Sequence, residues 1–540
     1  MNKRVCVIGA GISGVATVKE LRALGVEVDC YEMMPRVGGV FASHVWKGGH
    51  LTSSSVFTWF SDFPVANRQK FFTWSELLEY LDRYVDCFGL RDAIHLNSKI
   101  RAARREGGRW VVEVHRGWWS NGHPYHPSRE SVGVEESVFE RTYDHIVVCA
   151  GLHQRPRLPA VPGLAGFTGR CLHSSEYRDA EDFRGKRVIV VGAGESASDI
   201  ALQIAQVAAK VTISARSAPG TLFPRWIQGN TPDIRDDRLT YNLPRRFAPL
   251  ILRGQRRFFL DQKVRPELFR WAAESNFRNN RCPFNTNACK SFGIPEAIID
   301  HGAELVGGLE RIAGGRCHFA DGASAEADTI VFCTGFVREF PFLGTELSQR
   351  LVAVNTLWKS IVDPELGDAL FMVGMSRPQQ INLVSVAEMQ ARLVAQVIAG
   401  GRALPSEAAM RATVAADQAW MHRYYGDRYT KNPALVDFLY YMDGLAKFIG
   451  CEVPFREVFR RDLHLWFKLV YSAMNGAHYR LVGPGADWDA AAATIKATPL
   501  FANRRNAIMR WTILSLVTLV SKLRGRRAPE WRLIHDQARG

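Results

Sequence analysis

The sequence predicts an α/β chain built from two parallel-sheet units, and three observations carry the prediction. Residues 5–18, VCVIGAGISGVATV, recur in close paraphrase at residues 188–201 as VIVVGAGESASDIA. Each copy runs from a short apolar stretch through a glycine-rich turn into a helix-forming segment, the pattern of a buried parallel strand and its crossover helix. Each is answered far downstream by an apolar run ending in a small residue and glycine, YDHIVVCAG at 143–151 and DTIVFCTGF at 328–336.

Taken in order, the first unit comprises strand VCVIGAG, a helix over 13–24 and strand EVDCYE. Aromatic-rich loops, a helix over 74–88 and a glycine-punctuated strand region over 101–115 precede the 143–151 strand. The pattern restarts at Lys186 and ends in KVTISARS. No short-period repeat or low-complexity tract interrupts this plan.

Composition narrows the partners. At 540 residues and 47% apolar the chain buries a large core, and 69 Lys plus Arg against 54 Asp plus Glu give a formal charge of +15. That favours anionic partners such as phosphorylated cofactors, lipid headgroups or nucleic acid. The 10 cysteines include no Cys-x-x-Cys pair, and Cys6, Cys149 and Cys333 sit in apolar strands, which points to an intracellular, reducing compartment. Met1-Asn2-Lys3-Arg4 leads straight into the first strand, with no secretory segment ahead of it. Trp511 to Ser521 is uncharged, flanked by Arg504, Arg505, Arg510, Lys522, Arg524, Arg526 and Arg527, and shorter than the roughly 20 apolar residues that span a bilayer. It suits a headgroup layer or a helix docked on the core, so the 505–540 tail is a candidate membrane anchor.

The two glycine loops speak to chemistry. Gly9, Gly11 and Gly14 stand in G-x-G-x-x-G order: the first permits the tight turn, the second lets a pyrophosphate approach the backbone, the third brings helix and strand together. Glu32 at the next strand tip can accept both ribose hydroxyls and would repel a 2′-phosphate. The second loop is Gly192, Gly194 and Ala197, and its following strand ends on Ser214 and Arg216, where a guanidinium can pair with a 2′-phosphate. The expectation is two Rossmann-like dinucleotide-binding domains, one for FAD and one for NADPH, in a flavoprotein. The expected FAD-binding domain is 1–165 with 326–500, and the NADPH-binding domain 166–325. Disulfide reductases share the plan but need a redox cysteine pair near the flavin, which is not seen, so oxygen becomes the natural electron acceptor. The expected cofactor contacts are Gly9, Ala10, Gly11, Ile12, Ser13, Gly14, Glu32, Val40, Phe41, Thr52 and Ser53 for the first nucleotide. Those for the second and its junction are Gly192, Gly194, Ser196, Ala197, Ser214, Arg216, Thr334 and Gly335, and no metal site is expected.

FTGRCLHSSEY at 167–177, with Phe167, Gly169, His173 and Tyr177, resembles the fingerprint of the flavin-containing monooxygenases. SSVFTWFSDFP at 54–64, DTIVFCTGFVREFPFL at 328–343, AEMQARLV at 387–394 and YRLVGPG at 479–485 resemble further landmarks of that family in its order. The 218–300 insertion and the apolar C-terminal stretch resemble the longer, membrane-associated members. The resemblance implies that NADPH reduces FAD, that O2 adds at the flavin C4a position, and that an amine nitrogen or sulfide sulfur takes the distal oxygen, as in dimethylaniline monooxygenases. Tyr177 favours this group over the Baeyer-Villiger enzymes, which typically carry Trp-Pro there.

The resemblance also marks departures. Thr52 stands where the family commonly has an active-site Asn, making it the candidate catalytic residue, and Glu195 stands where Asn often follows the second loop glycine. His173 reads as a fixture of the linker between the nucleotide domains, and Asp62 as a turn cap without a catalytic role. Arg245, Arg246, Arg253, Arg256 and Arg257 interleave with Phe247, Phe258 and Phe259 in the insertion, which suits a membrane surface over nucleic acid. The expected partners are therefore an amine or sulfide, O2 and a membrane surface, on the cytoplasmic face and at the endoplasmic reticulum in a eukaryote. A homo-oligomer, Baeyer-Villiger oxygenation, NADPH oxidase activity and a non-catalytic flavoprotein are left open.

Overall fold

The computed structural model describes residues 3–66, 69–117, 136–217, 219, 221–242, 248–277, 288–378 and 383–500, with Ile508, Trp511, Thr512, Ser515 and Leu516 beyond them. The first unit begins with β1 (Arg4–Ile8), α1 (Ile12–Arg22) and β2 (Glu27–Tyr31). Next come α2 (Trp74–Cys87), β3 (Ile94–His95), the antiparallel strands β4 (Ser98–Glu106), β5 (Arg109–Arg116) and β6 (Ser137–Tyr143), and then β7 (His145–Val148). A linker holding β8 (Arg155–Pro156) leads into β9 (Arg170–His173), β10 (Arg187–Val191), α3 (Glu195–Ala205) and β11 (Lys210–Ser214). After the insertion the chain forms β12 (Glu304–Val306), β13 (Thr329–Phe332), β14 (Phe336–Val337), β15 (Leu370–Met372) and α4 (Leu383–Ile398).

Two five-stranded sheets result, in the orders β15-β7-β1-β2-β3 and β12-β11-β10-β13-β9. Their registers correspond: β1 pairs in parallel with β2 from Arg4↔Glu27 to Ile8↔Tyr31, and β10 with β11 from Arg187↔Lys210 to Val191↔Ser214. On the other side β7 flanks β1 as β13 flanks β10. The two strands anticipated near 143–151 and 328–336 thus hold equivalent places. Because β13 hydrogen-bonds into the second sheet, the chain crosses back to the first sheet after Phe332 and not at residue 326.

Local chemistry explains the helices. Thr73 and Glu76 form a reciprocal capping box at the start of α2, and Leu77, Leu78, Tyr80, Leu81, Tyr84 and Val85 make its single buried stripe. α4 is buried on nearly every side and packs against α1. Its Glu388 joins a buried ionic hub: the Arg480 guanidinium reaches Glu20 at 2.7 Å, Glu388 at 2.9 Å and Asp62 at 3.2 Å, and Lys19 pairs with Glu20 and Asp62. Asp62 is therefore an ion-pair member bridging α1 and the 476–485 loop rather than a turn cap.

The insertion has a core of its own, in which Phe259, Leu268, Ala272 and Phe292 are buried together. Arg253, Arg256 and Arg257 stay exposed on the helix over 248–260 while Phe258 and Phe259 turn inward, so that much of the Arg/Phe alternation is an amphipathic helix on this small core. Arg245, Arg246 and Phe247 lie outside the described residues. Among the described residues no helix is long and apolar enough to cross a membrane, and most of the 505–540 tail is not among them.

Candidate active site and nucleotide cradles

The first loop separates two reasons for glycine. Gly9 has φ +101° and a Cβ there would lie 2.8 Å from the Cys149 carbonyl oxygen; a Cβ on Gly14 would lie 1.8 Å from Gly9 O. Both are forced by the fold. Gly11 is not: it sits at φ −73°, and a Cβ would meet only the Gly39 backbone, Cα at 3.6 Å and N at 3.8 Å, both ordinary contacts. A close backbone approach by a ligand is the requirement left for it. Gly11 is also the N-cap of α1, makes no side-chain capping bond, and is followed by no acid in the first turn, so the helix presents amides and a positive end to an anion.

Glu32, 4% exposed, stands beside this cradle and accepts from Ala10 N at 2.7 Å and Met34 N at 2.9 Å, one amide per carboxylate oxygen. Burial pushes its carboxyl up despite those amides. Each oxygen keeps acceptor capacity for a ribose hydroxyl. Ala10 and Ser13 are buried and Ile12 half-buried at the loop. Val40 and Phe41 open a short helix over it, where Gly38 N donates to Ala10 O at 3.0 Å and Phe41 stacks on Trp74.

The second loop repeats the design. Gly192 has φ +135° and a Cβ would come within 2.4 Å of Cys333 O, matching the Gly9–Cys149 approach. Gly194 is exposed, caps α3 at φ −91°, and has nothing within 4 Å of a Cβ. Ala197 is fully buried, and Ser196 is half-buried beside it. At the tip of β11 the two expected cofactor contacts diverge. The Ser214 hydroxyl is buried and donates to Gly307 O at 2.9 Å. Arg216 is exposed, makes no ion pair among the described residues, and lays its stem over Gly308, where a Cβ would be 2.8 Å from its Cγ. Glu195 turns its carboxylate to Lys290 N at 3.3 Å.

Thr52 and Ser53 are half-buried on a loop tied at both ends. Leu51 N donates to Phe72 O at 2.8 Å, and Ser54 N donates at 2.8 Å to Asp233, a buried carboxylate of the insertion. Asp233 was not legible as a site residue; one of three acids in the stretch TPDIRDD, 179 residues from Ser54, gives no distinguishing signal. At the junction of the units, the Thr334 hydroxyl donates to Arg157 O, and Gly335 O accepts from Arg157 N and, at 3.0 Å, from His173 Nε2. His173 Nδ1 accepts from Ser175 N at 3.2 Å, so both ring nitrogens are occupied and the imidazole is a tether. Tyr177 is fully buried, its hydroxyl donating to Gln203 at 2.9 Å.

Two cradles of one design, with the buried Glu32 carboxylate beside the first and the exposed Arg216 guanidinium at the strand tip of the second, are the plan of an oxidoreductase with two Rossmann-like dinucleotide-binding units. The model of the family described as flavin-binding monooxygenase-like matches residues 2–506, and the chain belongs to that family. It is 34% identical over 492 residues to a decarboxylating 4-hydroxybenzoate brominase of Marinomonas mediterranea, covering 90% of each chain. It is 32% identical to the protein of the same name from Pseudoalteromonas luteoviolacea over 97% of this chain and 98% of that one. An N-oxide-forming dimethylaniline monooxygenase 2 of Pan troglodytes is 29% identical over 91% and 90%. Among solved structures, the S-allyl-L-cysteine S-oxygenase of Allium sativum superposes with a TM-score of 0.59 at 22% identity, covering 92% of this chain and 98% of that one. A complex of OTEMO with FAD and NADP gives 0.60 at 16%, covering 82% and 97%. Fold and family thus agree with FAD and NADPH as the cofactors expected from the loops.

Proposed function

We propose that the chain is an NADPH- and O2-dependent flavin monooxygenase that delivers one oxygen atom to a soft nucleophile. The observation that carries the reading is the pair Gly11 and Gly194, glycines that neither backbone conformation nor packing demands, at the N-termini of two helices whose strands end in Glu32 and Arg216. FAD fits the first cradle: the α1 amides would hold its pyrophosphate and Glu32 its unphosphorylated ribose. NADPH fits the second, with Arg216 on the 2′-phosphate.

A bound flavin would supply the redox chemistry. The protein's own residues bind, orient and shield. Thr52 offers a hydroxyl as donor and acceptor at the loop that Asp233 pins, and Val40 and Phe41 cover the cradle. Thr334 and His173 hold the Arg157–Gly335 crossing so that the two nucleotides keep one relative position.

For the nucleophile, the fingerprint ending in Tyr177 supports an amine nitrogen or a sulfide sulfur. A second reading is supported by the relatives named as brominases: a bromide ion is also a soft nucleophile, and its oxidised form halogenates a phenolic acid. NADPH consumption by the FAD-loaded protein, with products weighed by mass spectrometry, separates them. A thioether or tertiary amine gaining one oxygen supports the first, and a brominated phenol from bromide plus 4-hydroxybenzoate the second. An ester or lactone from a ketone would indicate Baeyer-Villiger chemistry, and NADPH consumed with hydrogen peroxide as the sole product would refute oxygen transfer. A peripheral membrane contact by the tail is part of the proposal, supported by Phe459 and Leu463, exposed on the helices over 455–461 and 463–471.

A further inference from the structure

The two cradles share one backbone plan and differ in the charge at their helix entrances. α1 opens with the half-buried Ile12 and carries no acid in its first turn. α3 opens at the equivalent place with Glu195, the residue after the capping Gly194. A carboxylate in the first turn of a helix answers the positive end itself, and so competes with any other anion held there.

The charge of Glu195 is left uncancelled. The side chain is half-buried and makes no ion pair among the described residues; its Oε1 accepts from the Lys290 amide of the insertion at 3.3 Å. One turn on and on the same face of the helix, Asp199 differs. It pairs with Arg225 at 2.8 Å and accepts from the Ser291 hydroxyl at 3.0 Å. The insertion thus offsets the second acid of this face with a guanidinium, and holds the first beside the cradle with a neutral amide. A pyrophosphate entering at Gly194 meets the α3 amides and the Glu195 carboxylate together, and the second opposes what the first supply.

We propose that Glu195 sets the residence of the second dinucleotide: its charge loosens NADP⁺ so that this cofactor exchanges in each cycle, while FAD stays in a cradle that has no such charge. This rests on the monooxygenase reading and adds to it a residue that governs release. Such a cycle needs the asymmetry, because the flavin has to remain throughout whereas the oxidised nicotinamide nucleotide has to leave before the next NADPH enters.

Calorimetric titration of NADP⁺ into the FAD-loaded chain tests this without turnover. Glu195→Gln removes the charge and keeps an acceptor for the Lys290 amide. It is expected to bind NADP⁺ about three- to tenfold tighter at low ionic strength, with the gain shrinking as salt is added. Displacement of NADP⁺ followed by stopped flow should show that gain as slower release. Glu195→Asp, which keeps the charge, should stay close to the parent. Glu326→Gln removes the same charge from a residue paired with Arg187 and Arg316, at the start of β10 and so away from Gly192, and should leave NADP⁺ affinity unchanged. An unchanged or weaker complex in Glu195→Gln, an equal gain in Glu326→Gln, or a gain undiminished at high salt would overturn the proposal, the weaker complex by making the carboxylate a contact of the cofactor. A parent chain that holds FAD and binds no NADP⁺ would refute the NADPH reading along with it. Normal binding by the parent with no change in Glu195→Gln would remove this inference alone.

Discussion

Replacing Gly11 by alanine separates holding the fold from holding the ligand. At φ −73° the backbone accepts any residue and the new Cβ stays 3.6 Å from Gly39 Cα, so the apoprotein should lose nothing. Such an exchange at a compatible position stabilises by about 0.4–1 kcal/mol through the unfolded chain. At Gly14 the same methyl lands 1.8 Å from Gly9 O, so α1 must retreat from β1 by more than an ångström. Overpacking of this kind costs about 1–3 kcal/mol or more. Where pyrophosphate meets Gly11, the methyl displaces a hydrogen bond to a charged group worth about 1.5–3 kcal/mol, or roughly 10–150-fold in FAD affinity. Thermal melting of apoprotein and quenching of flavin fluorescence give the two numbers. The reasoning is refuted if Gly11→Ala binds FAD as tightly as the parent, or melts as early as Gly14→Ala.

Arg216→Ala should weaken NADPH by about 1.5–3 kcal/mol and NADH hardly at all, since the exposed guanidinium would meet only the 2′-phosphate; equal losses in the two Michaelis constants would remove that assignment. Arg480→Met leaves Glu20 and Asp62 sharing Lys19 and takes from Glu388 its ion pair, and a broken buried network costs about 3–5 kcal/mol. A urea midpoint within error of the parent would contradict the hub. Hydrogen bonds from the Arg187 side chain, then its amide, hold Asp328 down to about 2, below its unfolded value near 3.9. Its stabilisation is thus present above about pH 4 and lost as pH falls toward 2. Asp328→Asn should melt earlier than the parent at pH 6 and together with it at pH 2, a difference that persists at pH 2 being the contrary result.

What could be read in advance was what neighbours in sequence decide. A strand, a turn and a helix within 14 residues carry their own period and glycine spacing, so both cradles and the β2 and β11 tips were visible. Contacts across long separations were not. Glu32 was expected at a ribose, but its bonds to Ala10 and Met34 were not legible; Ser214 was expected to touch a cofactor, and its bond to Gly307 O was not legible either. Asp62 read as a cap because nothing near it announces Arg480, which lies 418 residues on. The crossing at 326 was misjudged for the same reason, since a buried strand does not state which sheet it will join.

The bond from Ser54 N to Asp233 has a consequence for evolution of the chain. The insertion grips the loop that carries Thr52, so it cannot be trimmed as ornament: excising it would strip the buried Ser54 amide of its acceptor. Grafting experiments that exchange insertions between relatives therefore also exchange a partner of the Ser54 amide, one residue from Ser53 and two from Thr52.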